Sequence, residues 1–237
     1  LKLSLKYIGS KARIAKEIAY QILMRSNGRE KYIEPFIGGG SVFAIVGPCF
    51  RESSAGDIHF ELIEMWKAIK NGWIPPSVVS ELEYKELQKF KKFPPAYRGY
   101  VGFCCSYSAK WFGGYARGKT KDGISRNYAA EGVKEVEVIR PSLRRSTIEC
   151  KSYDKWNVDS NTVIYCDPPY EGTQGYSHYF DSDKFWRKAE EWNKLGALVV
   201  VSEYDAPKKW KCIWEKTHSK AMLGFKLTTE RLFICQS

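Results

Sequence analysis

Thr162-Val163-Ile164-Tyr165-Cys166-Asp167-Pro168-Pro169-Tyr170 decides the fold. Val163 to Cys166 is an unbroken apolar run, the pattern of a strand buried on both faces, and such strands belong to sheets that helices cover on both sides. The run ends at an acid followed by two prolines, so the chain leaves the strand through a rigid turn. In open α/β sheets functional groups gather beyond the carboxyl ends of the strands, which puts Asp167, Pro168, Pro169 and Tyr170 where chemistry is expected.

Regular α/β texture extends outward from this point. Ser182 to Leu195 reads as a helix stopped by Gly196, and Ala197 to Val201 reads as a second buried strand. Ile213-Trp214 and Leu232-Phe233-Ile234 predict a terminal hairpin. Upstream, Ile14, Ile18 and Ile22 recur at helical spacing between Lys11 and Met24, and Lys31 to Phe36 is a short strand halted by Gly38-Gly39-Gly40, with a helical stretch after it. Phe60 to Lys70 is a third helix, with Leu62, Ile63, Trp66 and Ile69 on one face and Asn71-Gly72 as its stop.

From Trp73 to Lys151 the texture changes. Pro75-Pro76, a helix from Val78 to Phe90 and Pro94-Pro95 lead into a Gly-, Tyr- and Arg-rich stretch without clear period. Between Arg98 and Lys151 there are 11 Lys and Arg against 5 Asp and Glu, which is over half of the net charge of +11. That concentration marks an inserted lobe with its own partner. The expected organisation is a Rossmann-like α/β catalytic domain with a mainly parallel sheet, formed by residues 1–72 and 152–237 and interrupted by an insert at 73–151.

A basic excess of this size favours a polyanionic partner, nucleic acid first, although a generally basic soluble enzyme fits the charge alone equally well. The seven cysteines form no C-x-x-C pair, so neither a zinc site nor a disulfide framework is suggested, and they read as reduced thiols of a cytoplasmic protein. No apolar run reaches membrane-span length and the first residues lack a signal-peptide core, so no membrane partner is expected.

Glu34-Pro35-Phe36-Ile37-Gly38-Gly39-Gly40-Ser41, running from strand into helix, is a nucleotide-type turn in which glycines let the backbone approach a ligand. A plain tight turn would look the same. Asp57, 19 positions after Gly38, adds a carboxylate where an α/β cofactor fold binds ribose hydroxyls. At the other loop, Asp167 and the Pro168 carbonyl can accept hydrogen bonds from an amine, while Tyr170 offers a stacking face to a base.

These stretches, with Tyr7-Ile8-Gly9-Ser10-Lys11, resemble the motif set of the Dam-type (D12 class, α group) DNA adenine N6-methyltransferases, in that group's order of cofactor motifs, recognition insert and catalytic loop. The resemblance covers residues 7 to at least 185. It implies S-adenosylmethionine as cofactor, no metal, double-stranded DNA as partner, and a monomer or weak dimer on DNA. It implies that Tyr7, Lys11 and the loop containing Glu34, Phe36, Gly38 and Gly40 hold the cofactor. Asp57 would take the ribose, and Asp167 would stand where cofactor and target amine meet. Trp111-Phe112-Gly113-Gly114-Tyr115-Ala116-Arg117 resembles a stretch of phage-type members, which points to a viral or prophage origin and a restriction-modification setting. Tyr176 and Phe180 correspond to aromatic residues that close over the base, and Glu230-Arg231-Leu232 fits the last strand.

In the insert, Lys110, Trp111, Tyr115, Arg117, Lys119 and Arg126 interleave basic and aromatic groups among glycines, a composition suited to DNA contacts; a solvated basic loop is the plainer reading. Three other functions are weighed. A cytosine C5 enzyme needs a Cys nucleophile, and Cys49 falls too soon after Gly40 to serve. A methyltransferase acting on RNA or on a glutamine amide uses a related loop, the latter typically opening with Asn rather than Asp. A catalytically dead DNA-binding relative would bind cofactor without turnover.

Overall fold

The computed structural model describes residues 4–170, 180–220 and 226–235. Its strands are β1 (Lys31–Glu34), β2 (Glu52–Asp57), β3 (Ser146–Cys150), β4 (Thr162–Cys166), β5 (Leu198–Glu203), β6 (Trp210–Lys220) and β7 (Lys226–Cys235). They form one sheet in the order β3-β2-β1-β4-β5-β7-β6. The first five run parallel; β7 lies antiparallel to β5 and forms a hairpin with β6. This is a Rossmann-like α/β fold, and the strand order reverses between β1 and β4. That reversal opens a crevice at their carboxyl ends, which is where ligands bind in such sheets.

The helices are α1 (Ala15–Leu23), α2 (Phe43–Val46), α3 (Phe60–Lys70), α4 (Glu81–Lys89), α5 (Pro95–Cys104), α6 (Tyr128–Leu143) and α7 (Ser182–Lys194). Strand side chains alternate between two cores. Tyr32, Val163, Tyr165 and Val200 face the core shared with α1, α2, α3 and the insert helices. Ile33, Ile164, Cys166, Val199 and Val201 face Phe185, Trp186, Ala189 and Trp192 of α7. With both faces covered, the run from Thr162 to Cys166 is buried at every position. The expected face of α3 is also the observed one, since Leu62, Ile63, Trp66 and Ile69 are all buried.

The structure departs from the sequence expectations in three places. The helix after the glycine loop is a single turn, because Gly47-Pro48 carries the chain into a 3-10 turn. The stretch without clear period contains α5 and α6. Gly99 lets α5 cross α3 closely, since a Cβ there would lie 2.1 Å from the Glu61 carbonyl oxygen. Finally, β3 falls within 73–151 yet pairs with β2, so the sheet takes up the chain again at Ser146. Tyr84, Leu87, Tyr100, Val101, Val136 and Ile139 of the insert share the main core rather than forming one of their own.

Candidate active site

Three adjacent strands deliver the predicted residues to one edge. Glu34 ends β1, Asp57 ends β2 and Asp167 follows β4. Pairing of Glu34 with Ala55 and of Ile33 with Ile164 brings the three ends level. Asp57 and Asp167 are thus two strand spacings apart, roughly 10 Å laterally.

The loop after β1 is held from three directions. Ile37 N–H donates to the Gly56 carbonyl at 2.9 Å, Leu5 N–H to the Gly39 carbonyl at 3.0 Å, and Trp66 Nε1 to the Gly38 carbonyl at 3.0 Å. Gly38 has φ 44° and Gly40 φ 69°, the left-handed region. A Cβ on Gly38 would lie 2.9 Å from the Tyr7 ring, and one on Gly39 2.8 Å from the Leu5 carbonyl oxygen. The glycines therefore admit the N-terminal segment as well as any ligand, and Tyr7 seats on Gly38. Asp57 accepts from the His59 N–H at 3.0 Å. Burial pushes its carboxyl up to about 6, against the pull of the backbone N–H groups of His59, Gly38 and Ile58.

Lys11 and Asp167, far apart in sequence, meet here. Lys11 Nζ donates to both Asp167 carboxylate oxygens, at 2.7 and 2.9 Å, and lies 3.8 Å from Glu230 Oε2 and 4.5 Å from the centre of the Tyr170 ring. Burial opposes its charge, but Asp167 and Glu230 outweigh that and hold the ammonium above its usual pKa. Burial likewise pushes Asp167 up, and Lys11 pulls it part of the way back. Glu34 is buried and accepts from the Tyr32 hydroxyl at 2.7 Å; burial, with Asp167 nearby, raises it well above the carboxylate range. Glu203, at the end of β5, is pushed by burial up to about 8. Pro168 is buried and Pro169 half-buried, so the loop is pinned behind Asp167.

Sequence reasoning missed Ser202, Glu203 and the inward role of Glu230. Ser202 Oγ and Glu230 Oε2 lie 2.9 and 2.7 Å from the Tyr170 hydroxyl, and Tyr204 packs its ring edgewise on Tyr170 at 4.5 Å. An acid inside a strand otherwise rich in apolar residues was the available signal for Glu230.

Other predicted residues lie apart from this cluster. Phe36 stacks on Tyr153 at 5.5 Å, and Phe180 packs with Phe36, Tyr153 and Phe185, which places it in an aromatic cluster beside the glycine loop. Tyr176 lies outside the described residues. In the insert, Trp111 is wedged against Gly102 and packs on His59, Phe103 and Phe112, while Tyr115 donates to the Val79 carbonyl at 2.8 Å. Arg117 pairs with Glu81, and Arg126 with Glu131. Lys110 and Lys119 are exposed.

The site sets the carboxylates of Asp167 and Glu230 around one lysine, with the carboxyls of Glu34 and Glu203, which burial holds toward the neutral form, on neighbouring strand ends. Asp167 and Glu230 facing a single lysine suit a ligand that carries positive charge, and Asp57 at the far end suits hydroxyl donors. A nucleoside with a cationic sulfonium substituent, as in S-adenosylmethionine, meets both requirements.

Comparison with known proteins identifies the family. The DNA adenine methylase of Vibrio cholerae is 28% identical over 194 residues, 70% of this chain and 64% of that protein. A type II methyltransferase of Paramecium bursaria Chlorella virus is 27% identical over 157 residues, 59% of each chain. The chain thus spans less than two thirds of either relative. Among solved structures, a SAM-dependent methyltransferase from Agrobacterium tumefaciens aligns with TM-score 0.43 and 10% identity, covering 95% of this chain and 62% of that one. That likeness is too low to argue from, and the fold rests on the strand order. The family profile described as D12 class N6 adenine-specific DNA methyltransferase matches residues 7–98 and 97–212. With that match spanning most of its length, the chain belongs to the D12 class of N6 adenine-specific DNA methyltransferases.

Proposed function

We propose that the chain transfers the methyl group of S-adenosylmethionine to N6 of adenine in duplex DNA, directly and in line, on a base turned out of the helix. The observation that carries this reading is the convergence of the Asp167 carboxylate and the Tyr170 ring on one point at the β1/β4 switch, now marked by Lys11 Nζ. When bound, the cofactor supplies an electrophilic methyl group on sulfur. Tyr7, Lys11, Phe36 and the Gly38–Gly40 loop would border it, with Asp57 on the ribose.

Adenine N6 is a poor nucleophile because its lone pair is delocalised into the ring. Acceptors at both amine hydrogens localise that pair, and Asp167 with the Pro168 carbonyl would accept them. Lys11 occupies the same Asp167 oxygens, so it must yield as the amine arrives, and Glu230 at 3.8 Å is positioned to receive it. Flipping costs the base its stacking, which the Tyr170 face replaces. The insert, which ends where β3 rejoins the sheet at Ser146, would hold DNA through Lys110, Lys119 and neighbouring groups, with Trp111 and Tyr115 supporting that surface from beneath.

The test is methyl transfer from labelled S-adenosylmethionine offered to unmethylated duplex DNA, RNA and protein in parallel, with digested products identified by mass spectrometry. N6-methyladenine in DNA is the expected product. Label in RNA or protein contradicts the substrate, and cofactor binding without transfer to any of them contradicts the activity.

A further inference from the structure

A base-stacking role at position 170 needs only an aromatic ring, which phenylalanine would supply as well. Here the hydroxyl is engaged. It donates to Glu230 Oε2 at 2.7 Å and lies 2.9 Å from Ser202 Oγ. These two partners lie outside the catalytic loop, Ser202 on β5 and Glu230 on β7, neighbours paired through Ser202↔Leu232 and Glu203↔Arg231, while within the loop the Tyr170 side chain also hydrogen-bonds Asp167. A carboxylate buried within a strand is costly unless hydrogen bonds and charge satisfy it, and the groups satisfying Glu230 are the Tyr170 hydroxyl and Lys11. The ring is thereby fixed at its hydroxyl end, along its edge by Tyr204 and over its face by Lys11.

We propose that Glu230 and Ser202 are positioning residues for methyl transfer: through the Tyr170 hydroxyl they set the plane of the ring, so that its face and the Asp167 carboxylate converge on the target amine. The inference rests on the methyl-transfer reading above. A ring free to pivot would still stack, but the amine would no longer be aligned with the carboxylate, and alignment supplies much of the rate in such a reaction.

The experiment measures kcat and the KM for S-adenosylmethionine separately, with duplex DNA as acceptor. It compares wild-type protein with Glu230→Leu, Tyr170→Phe, the Glu230→Leu/Tyr170→Phe double variant and Glu230→Gln. Loss of one hydrogen bond of this kind predicts that Glu230→Leu and Tyr170→Phe each lower kcat about tenfold, with the cofactor KM within about threefold of wild type. The double variant is expected to lose less than the product of the two single losses, because both remove the Tyr170–Glu230 bond although each also removes a contact of its own, Glu230→Leu that with Lys11 and Tyr170→Phe those with Ser202 and Asp167. Glu230→Gln, whose amide oxygen still accepts from the phenol, recovers most of the rate. Wild-type kcat in Glu230→Leu, losses that multiply in the double variant, or a cofactor KM that rises as kcat falls would each overturn the proposal. Should Glu230→Leu fail to fold, Ser202→Ala and Tyr170→Phe decide: undiminished kcat in both overturns the proposal, and a fall in both with unchanged KM supports it. Failure of the underlying reading is separate, because wild-type protein would then methylate no DNA.

Discussion

Replacing Lys11 with Met tests the electrostatic core of the site. Lys11 is 7% exposed and Asp167 20%, with Nζ 2.7 Å from the nearer carboxylate oxygen. At an effective dielectric constant of about 20, two unit charges so placed attract by about 6 kcal/mol, an upper bound. Removing one partner of a buried pair typically costs about 3–5 kcal/mol, because the other charge is stranded. Lys11→Met is therefore expected to destabilise the fold by about 3–5 kcal/mol, read by urea unfolding, with Tm lower by roughly 6–20 °C at about 2–4 °C per kcal/mol. The stranded group is Asp167, already pushed upward by burial, so without Lys11 it takes up a proton at higher pH. The acid limb of kcat/KM then moves to higher pH, because the amine acceptor must be ionised. Adding Asp167→Asn in the Lys11→Met background removes the stranded charge and should restore much of the stability, though not the activity. A loss below about 1 kcal/mol in Lys11→Met, or a double variant less stable than the single one, would refute the reasoning.

Glu203 contributes a pH dependence of opposite sense to an ordinary ion-paired acid. Its folded value of about 8 lies above the usual 4.5, so its contribution to stability is fully present below pH 4.5 and is lost as pH rises through 8. Glu203→Gln should flatten the unfolding free energy across that window, by at most about 5 kcal/mol at about 1.4 kcal/mol per unit; an unchanged profile contradicts the assignment. Gly38→Ala places a Cβ 2.9 Å from the Tyr7 ring at φ 44°. It is expected to cost about 1–3 kcal/mol and to weaken S-adenosylmethionine binding in calorimetry, whereas an unaltered Tm and affinity would show that the loop tolerates it. Lys110→Ala/Lys119→Ala should weaken DNA binding and reduce the slope of log affinity against log salt by up to about 2, and an unchanged slope removes these lysines from the DNA surface.

The buried-strand run at 162–166 and the helix at Phe60–Lys70 were legible because burial on both faces, or on one face at helical spacing, writes itself into local sequence. The acids were legible as types at strand ends. What could not be read was their meeting: the N-terminal segment packs on the glycine loop after β1, which lies beside β4, and so carries Lys11 to Asp167, while Glu230 joins them because β7 lies beside β5. α5 escaped notice because Gly99 and Gly102 disguise a helix whose glycines serve close packing, on Glu61 of α3 and on Trp111. β3 escaped because Ser146–Cys150 is a short edge strand without an apolar run. Trp111 shows what composition leaves out: read among basic residues as a DNA contact, it is half-buried and also packs on His59 and Phe103.

The most direct test of the central claim, that Asp167 accepts the target amine beside Tyr170, is a single-turnover measurement. Wild-type protein and Asp167→Asn are each saturated with S-adenosylmethionine and mixed with duplex DNA, and N6-methyladenine is followed in time. The account predicts that the wild type forms N6-methyladenine and that Asp167→Asn, with cofactor still bound, is slower by about a thousandfold, the scale of losing a preorganised partner of the reacting group. A variant within tenfold of wild type, or methyl appearing on another nucleoside, would contradict it.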